Sequence, residues 1–183
     1  QKADVQFSQY GQNSVFGSTD FSFKNLLYLT FTGRQDWFSQ LRPGKNSIFY
    51  PSVGTSFILS DAIRMPNLIS FAKLRASYAQ VGQATVNPYQ INQLYTFEQG
   101  GHIGRPVQNT SSALANYDLQ PLTSTTYEGG VDLQFLNNRL GLDFTYYSRQ
   151  TTDDIIAVPT AVSSGNTSAL MNIGALSNKG VEI

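Results

Sequence analysis

The chain has 183 residues, with 12 acidic and 12 basic side chains and a single histidine. Zero net charge removes the electrostatic footprint needed to grip nucleic acid or an anionic surface, and the absence of cysteine removes disulfides and thiolate metal sites. Charged residues make up only 13%, against about a quarter in ordinary soluble domains, while aromatics also reach 13%, a balance that leans toward a β protein embedded in a membrane.

In chain order, Gln1-Lys2-Ala3-Asp4 does not begin a signal peptide, and residues 5–10 could supply a short additional strand. Period-2 alternation then predicts seven strands, over 15–23, 26–36, 49–60, 71–82, 125–136, 139–156 and 173–183. In the second, Leu27, Leu29 and Phe31 oppose Thr30, Thr32, Arg34 and Asp36; in the third, Val53, Thr55, Phe57 and Leu59 oppose Ser52, Gly54 and Ser56. The fourth sets Leu74, Ala76 and Tyr78 against Lys73, Arg75 and Ser77. No stretch carries a convincing helical period.

The stretch LQFLNNRLGLDFTYYSR, from Leu133 to Arg149, shows the pattern most clearly. Asn137-Asn138 tolerates the positive φ angles of a primed two-residue turn, so the fifth and sixth strands form a hairpin. One face holds Tyr127, Val131, Leu133 and Phe135 with Leu140, Leu142, Phe144 and Tyr146, because successive side chains in a strand point to opposite sides. The other holds Glu128, Asp132 and Gln134 with Asp143, Thr145, Tyr147 and Arg149. Such two-sidedness fits either a soluble sheet covering a core or a barrel wall between lipid and water.

The connections discriminate between these. Alternate joints are tight, at Lys24-Asn25, Asp61 to Ser70 and Asn137-Asn138, whereas those between them are long, at 37–48, 83–124 and 159–172. An antiparallel meander places alternate joints at opposite ends, so one end carries short turns and the other long loops, as in outer-membrane barrels. No run reaches the roughly 20 apolar residues of a membrane-spanning helix, which leaves closed barrels available. Seven strands fall short of the about eight that close even a small barrel, and the segment 172–183 reads as a strand with no turn after it. The chain is therefore expected to be a piece of a larger barrel, the alternative being a small closed barrel in which residues 5–10 supply the eighth strand.

Several segments carry a more specific signal. YPSVGTSFILS, from Tyr50 to Ser60, is similar to the phrase FPSVSAGWRIS, and AKLRASYAQVG, from Ala72 to Gly82, to LKLRASYGQTG. GVDLQFLNNRL at 130–140 and NIGALSNKGVEI at 172–183 match two further phrases, GLDFGFLNNRL and NIGKVxNKGVEL, in the same order. These phrases belong to the SusC/RagA family of TonB-dependent outer-membrane transporters, which the chain resembles over most of its length. Ser18 and Phe57 depart from the family's arginine and tryptophan, and residues 83–123 have no counterpart.

The resemblance implies that residues 1–183 are a partial barrel domain: an all-β, antiparallel up-and-down meander of about seven strands, from the C-terminal part of a transmembrane barrel of about 22, with no plug domain among them. It implies the bacterial outer membrane, no cofactor and no enzymatic role. It further implies import of glycans or peptides with a SusD-like surface lipoprotein, energised by the TonB complex through regions outside this chain. A passive structural or adhesive barrel and a soluble carbohydrate-binding sandwich are the alternatives.

Candidate site residues follow from the wall geometry. Arg34, Asp36, Lys73, Arg75, Glu128, Asp132, Asp143 and Arg149 would face the lumen, either to contact substrate or plug or simply to pair across strands and keep the inner wall wet. Trp37, Phe38, Tyr89, Tyr95, Phe97 and Tyr117 lie at or in the long loops and are candidates for substrate or lipoprotein contact. Phe23, Phe71 and Phe135, near the short turns, read as girdle residues at the lipid boundary. His102, flanked by glycines, reads as a solvated loop histidine, Asp153-Asp154 lacks the further oxygen ligands of a calcium cage, and the sequons at Asn109 and Asn166 read as incidental.

Overall fold

In the computed structural model, which describes residues 7–183, seven long strands form one antiparallel meander: β1 (Gln12–Phe23), β2 (Leu27–Phe38), β3 (Ser47–Ile58), β4 (Ile69–Gln83), then β8 (Leu122–Phe135), β9 (Leu140–Pro159) and β10 (Ser168–Glu182). Between β4 and β8 the chain adds β5 (Tyr95–His102), β6 (Arg105–Thr110) and β7 (Ala113–Leu114). β5 and β6 form a separate hairpin, whereas β7 pairs in parallel with the start of β10, giving the sheet order β1-β2-β3-β4-β8-β9-β10-β7. The sheet is open, so the barrel is not closed within this chain. Of the suggested strand at 5–10, Val5 and Gln6 lie outside the described residues and the remainder joins no strand; the same applies to the opening Gln1 to Asp4.

All three tight joints lie at one end. Lys24 and Asn25 both have positive φ, and the Leu26 amide donates to the Phe23 carbonyl at 2.9 Å, the closure of a primed turn. The β8–β9 joint differs from expectation: the last pair is Phe135 with Leu140, and Leu136, Asn137 and Asn138 all take positive φ, with the Arg139 amide on the Phe135 carbonyl at 3.1 Å. The asparagines do reverse the chain, but in a wider loop that also recruits Leu136. The β3–β4 joint contains one helical turn, Leu59–Ala62.

Register sorts the side chains onto two faces. Leu29, Thr55, Ala76, Gly129 and Tyr146 occupy one cross-strand row, and Phe31, Val53, Tyr78 and Tyr127 the next. Tyr78 and Tyr127 are in contact there, with ring centroids 5.1 Å apart. Beyond these rows toward the loops the same face turns polar, at Gln35, Gln80, Thr125 and Gln150. The apolar band thus runs on β8 from Tyr127 to Phe135, nine residues, which matches the about 9–11 of a tilted transmembrane strand.

No second layer covers this face among the described residues. Leu74 is 44% and Leu142 42% exposed, while Leu29 and Val131 are shaded only by neighbours in the same sheet. A soluble sandwich would bury all four. Phe71 is a correction to the girdle: two residues before Lys73, it pairs with Gln134 on the wet face, and a bulge between Ile69 and Phe71 lets Ile69 take the place opposite Phe135.

The buried core sits instead at the loop end. Phe38, Leu41, Val86, Ile91, Leu119 and Leu170 cluster there, with Leu119 fully buried. Four of the six come from the long loops, so residues 83–123, read in the sequence only as a long connection without a counterpart, fold into the molecule.

Candidate functional site

The site is the wet face of the sheet, which the register assembles from Arg34 and Asp36 on β2, Lys73 and Arg75 on β4, Glu128 and Asp132 on β8, and Asp143 and Arg149 on β9. All eight predicted lumen charges therefore lie on one face, as alternation required.

Two networks consume most of them. Asp132 and Asp143 stand directly opposite each other on β8 and β9, a like-charge juxtaposition that destabilises a sheet unless a cation intervenes. Arg75 intervenes: its Nη2 lies 2.6 Å from Asp143 Oδ1 and 3.3 Å from Asp132 Oδ1, and donates to Thr145 Oγ1 at 3.2 Å. Lys73 Nζ completes the set, 2.6 Å from Asp132 Oδ2. Arg75 reaches from β4 across β8 to β9 because its register partner is Gly130. A Cβ at Gly130 would lie 2.9 Å from Thr145 Oγ1 and 3.3 Å from Arg75 Nη2, so any side chain there would press on the arm.

The second network lies nearer the mouth. Asp36 is 2% exposed, and its carboxylate takes Arg34 Nε at 2.8 Å, the Tyr50 hydroxyl at 2.7 Å and Gln12 Nε2 at 2.7 Å. A buried carboxylate survives when its lone pairs are filled in this way. The knot ties β1, β2 and β3 together at the level where the apolar band ends.

Glu128 and Arg149 are different. Glu128 accepts only from Ser77 Oγ, at 3.5 Å, and Arg149 donates only to Thr126 Oγ1, at 3.2 Å; neither has an ion-pair partner among the described residues. Glu128 lines a depression of about 300 Å³ in the wall, together with Tyr28, Gly54, Ser56, Arg75 and Gly130. A hollow of mixed lining that holds a carboxylate without an ion-pair partner can seat a hydroxyl-rich or cationic group.

The loop aromatics divide. Phe38 is 4% exposed and belongs to the core, which removes it as a contact residue; it is the last residue of β2, on the wet side, where the long loops cover it. Trp37 points the other way, in register with Asn13 and Ser47 above the apolar band. Tyr89, Tyr95, Phe97 and Tyr117 are exposed, with Tyr117 lying over the Arg42 guanidinium at 5.4 Å. His102 pairs with Arg105 at the tip of the β5–β6 hairpin, and no group of three or more His, Asp or Glu that could hold a metal occurs among the described residues. Asp153 and Asp154 sit at a bulge between β9 and β10, where the Asp154 carboxylate accepts the Ile155 amide.

Sequence reasoning missed Gly130, Asn172 and Leu119. The first was signalled by Gly129-Gly130 inside a strand, a mark of close approach; Leu119 in a polar loop was the trace of a loop core; Asn172 carried no signal.

The wall geometry agrees with what the chain resembles among known proteins. The family model described as "TonB dependent receptor-like, beta-barrel" matches residues 1–183. TonB-dependent receptor P3 of Formosa agariphila is 30% identical over 175 residues, covering 92% of this chain and 17% of the relative. The receptor SusC of Bacteroides thetaiotaomicron is 28% identical over 180 residues, covering 92% and 18%. The RagAB peptide importer in its "closed-closed" state superposes with a TM-score of 0.86 at 27% identity, over 95% of this chain and 19% of that one. The siderophore receptor PirA of Pseudomonas aeruginosa, at 20% identity and a TM-score of 0.62 over 96% and 31%, shares the fold. The chain thus spans about a fifth of these SusC-like and RagA-like relatives, which are receptors and transporters and not enzymes. An apolar face without a covering layer, a wet face rich in charge and a family match from end to end lead to one conclusion: the chain belongs to the TonB-dependent receptor β-barrel family and forms part of a barrel wall in the bacterial outer membrane.

Proposed function

We propose that the protein carrying this chain imports glycans or peptides across the outer membrane, and that the wet face lines the path. The observation that carries this reading is the division of labour on that face. Six charges are spent in ion pairs that hold the wall, while Glu128 and Arg149 keep only hydroxyl partners and remain open to whatever occupies the lumen. That occupant is substrate or a plug domain supplied by the rest of the protein. Energy comes from the TonB complex, and a SusD-like lipoprotein covers the mouth, consistent with the likeness to SusC and to the RagAB importer. The loop aromatics Tyr89, Tyr95, Phe97 and Tyr117 are the surfaces offered to cargo or lipoprotein.

The test is nutrient-limited growth of the source bacterium on a panel of glycans and peptides, with and without the gene. Growth on one class that fails both on deletion and on loss of TonB supports energised import. Growth indifferent to TonB points to a passive or adhesive barrel instead.

A further inference from the structure

The long connection between β4 and β8 has the length of a mobile lid but is held like a wall. Its return limb is tied to β10 at four levels. β7 pairs with Ser168 and Ala169, the Thr167 amide donates to the Ser112 carbonyl at 2.8 Å, and Asn116 Nδ2 donates to the Leu170 carbonyl at 3.0 Å. Asn172 then clasps Gln120 from both sides, accepting its amide at 3.0 Å and donating to its carbonyl at 2.8 Å, and donates also to the Asp153 carbonyl at 2.7 Å. Between these ties Leu119 is buried in the core, and Asp118 pairs with Arg42 and Lys45 of the β2–β3 loop. The outgoing limb is held in the same core by Val86 and Ile91. To reach β7 from β4 the segment passes β8, β9 and β10, four strand spacings or about 19 Å of sheet, and it does so on the wet side, where Phe38 and Leu170 meet it.

Only the tip is free of these ties. The base of the β5–β6 hairpin is zipped by the Ser111 amide on the Leu94 carbonyl at 3.0 Å, and Gln93 links Ser111 to Ala115. Beyond that base the hairpin pairs with no other strand, and Phe97 is 75% exposed. An isolated two-stranded hairpin is marginal in water, so motion belongs there.

We propose that residues 84–94 and 111–121 form a fixed strap over the lumen side of the barrel mouth, with β7 as a permanent cap on the outer edge of β10, and that only the 95–110 hairpin moves. The cap has a topological consequence. β7 holds the outer edge of Ser168 and Ala169, so whichever strand covers the rest of β10 in the complete barrel pairs only below that point, from Leu170 toward Glu182. Local opening follows the density of buried contacts and hydrogen bonds, and here both are concentrated in the strap's two limbs. This inference stands whether or not the barrel imports cargo.

The test uses the full-length protein in the outer membrane with Leu114→Cys and Ala169→Cys, register partners in a chain that has no cysteine of its own. Adjacent strands lie about 4.8 Å apart, within the about 4.4–6.8 Å that a disulfide spans. Under mild oxidation the proposal expects the bridge in more than about half of the molecules, changed less than about twofold by a protonophore. A lower yield, or a larger change, overturns it. Only molecules that keep the heat-modifiable mobility of a folded barrel are counted, so a misfolded variant cannot mimic either result. Limited proteolysis of the wild-type protein is the second measurement: within 84–121, cuts confined to 95–110 are expected, and cuts within 84–94 or 111–121 overturn the strap.

Discussion

The two ends of this sheet obey opposite burial rules. At the turn end, Leu74 and Leu142 present their side chains outward with nothing among the described residues over them; at the loop end, Leu119 and Phe38 disappear into a core assembled largely from loops. The strands are continuous between the two regions, so propensity does not separate them. Solvent does. Below the tyrosine row, hydrocarbon accepts apolar side chains at no cost, and the chain needs no cover. Above it lies water, and the apolar residues must be buried by protein. The exchange of one for the other occurs where Tyr78 and Tyr127 meet, an amphipathic pair suited to that boundary.

That contrast can be broken most strongly from the loop end. Leu119→Ala should cost about 2–5 kcal/mol through lost burial and a cavity, expressed as protease sensitivity and faster amide exchange of the strap, with the lower wall unchanged. Next comes Leu142→Arg on the lipid face, which should cost about 2–4 kcal/mol at the bilayer midplane, read as a lowered denaturant midpoint for folding into phospholipid vesicles. Gln150→Arg, on the same face but one row above the tyrosines, opposite Thr125, should cost about 0–1 kcal/mol. Equal effects at 142 and 150 would erase the lipid boundary.

Smaller effects sharpen the wet face. Tyr50→Phe removes one donor from the buried Asp36 carboxylate and should cost about 1–3 kcal/mol, while Gly130→Val should displace Arg75 from Asp143. In the valine variant a further Asp143→Asn change should then cost little, because the ion pair is already lost; a double-mutant cycle measures this coupling. Smallest of all, Phe97→Ala should lie within about 0.5 kcal/mol of the parent in stability, since the hairpin tip supports nothing beneath it, and any effect should fall on partner or cargo binding.

The wall was legible because its rule is local. Alternation at period two assigned Arg75, Asp132 and Asp143 to one face and Leu74, Val131 and Leu142 to the other without knowledge of any neighbour, and the spacing of Lys24-Asn25 and Asn137-Asn138 placed the turns at one end. Register was not legible. That Gly130 lies opposite Arg75, or that a bulge brings Ile69 opposite Phe135, depends on how strands slide past one another, and hydrogen bonding between strands leaves no trace in either strand alone.

The strap marks the same division. The amino-acid sequence determined a two-faced β wall and, through its phrases, the family to which it belongs, because strand patterning and short motifs are written residue by residue. Tertiary structure alone decided that Phe38 is core and not a contact residue, that Asn172 clasps Gln120, and that residues far apart in the chain share one core at the loop end. Contacts of that range are set by where folded strands bring loop ends together, and the loops themselves carry no periodicity from which to read them.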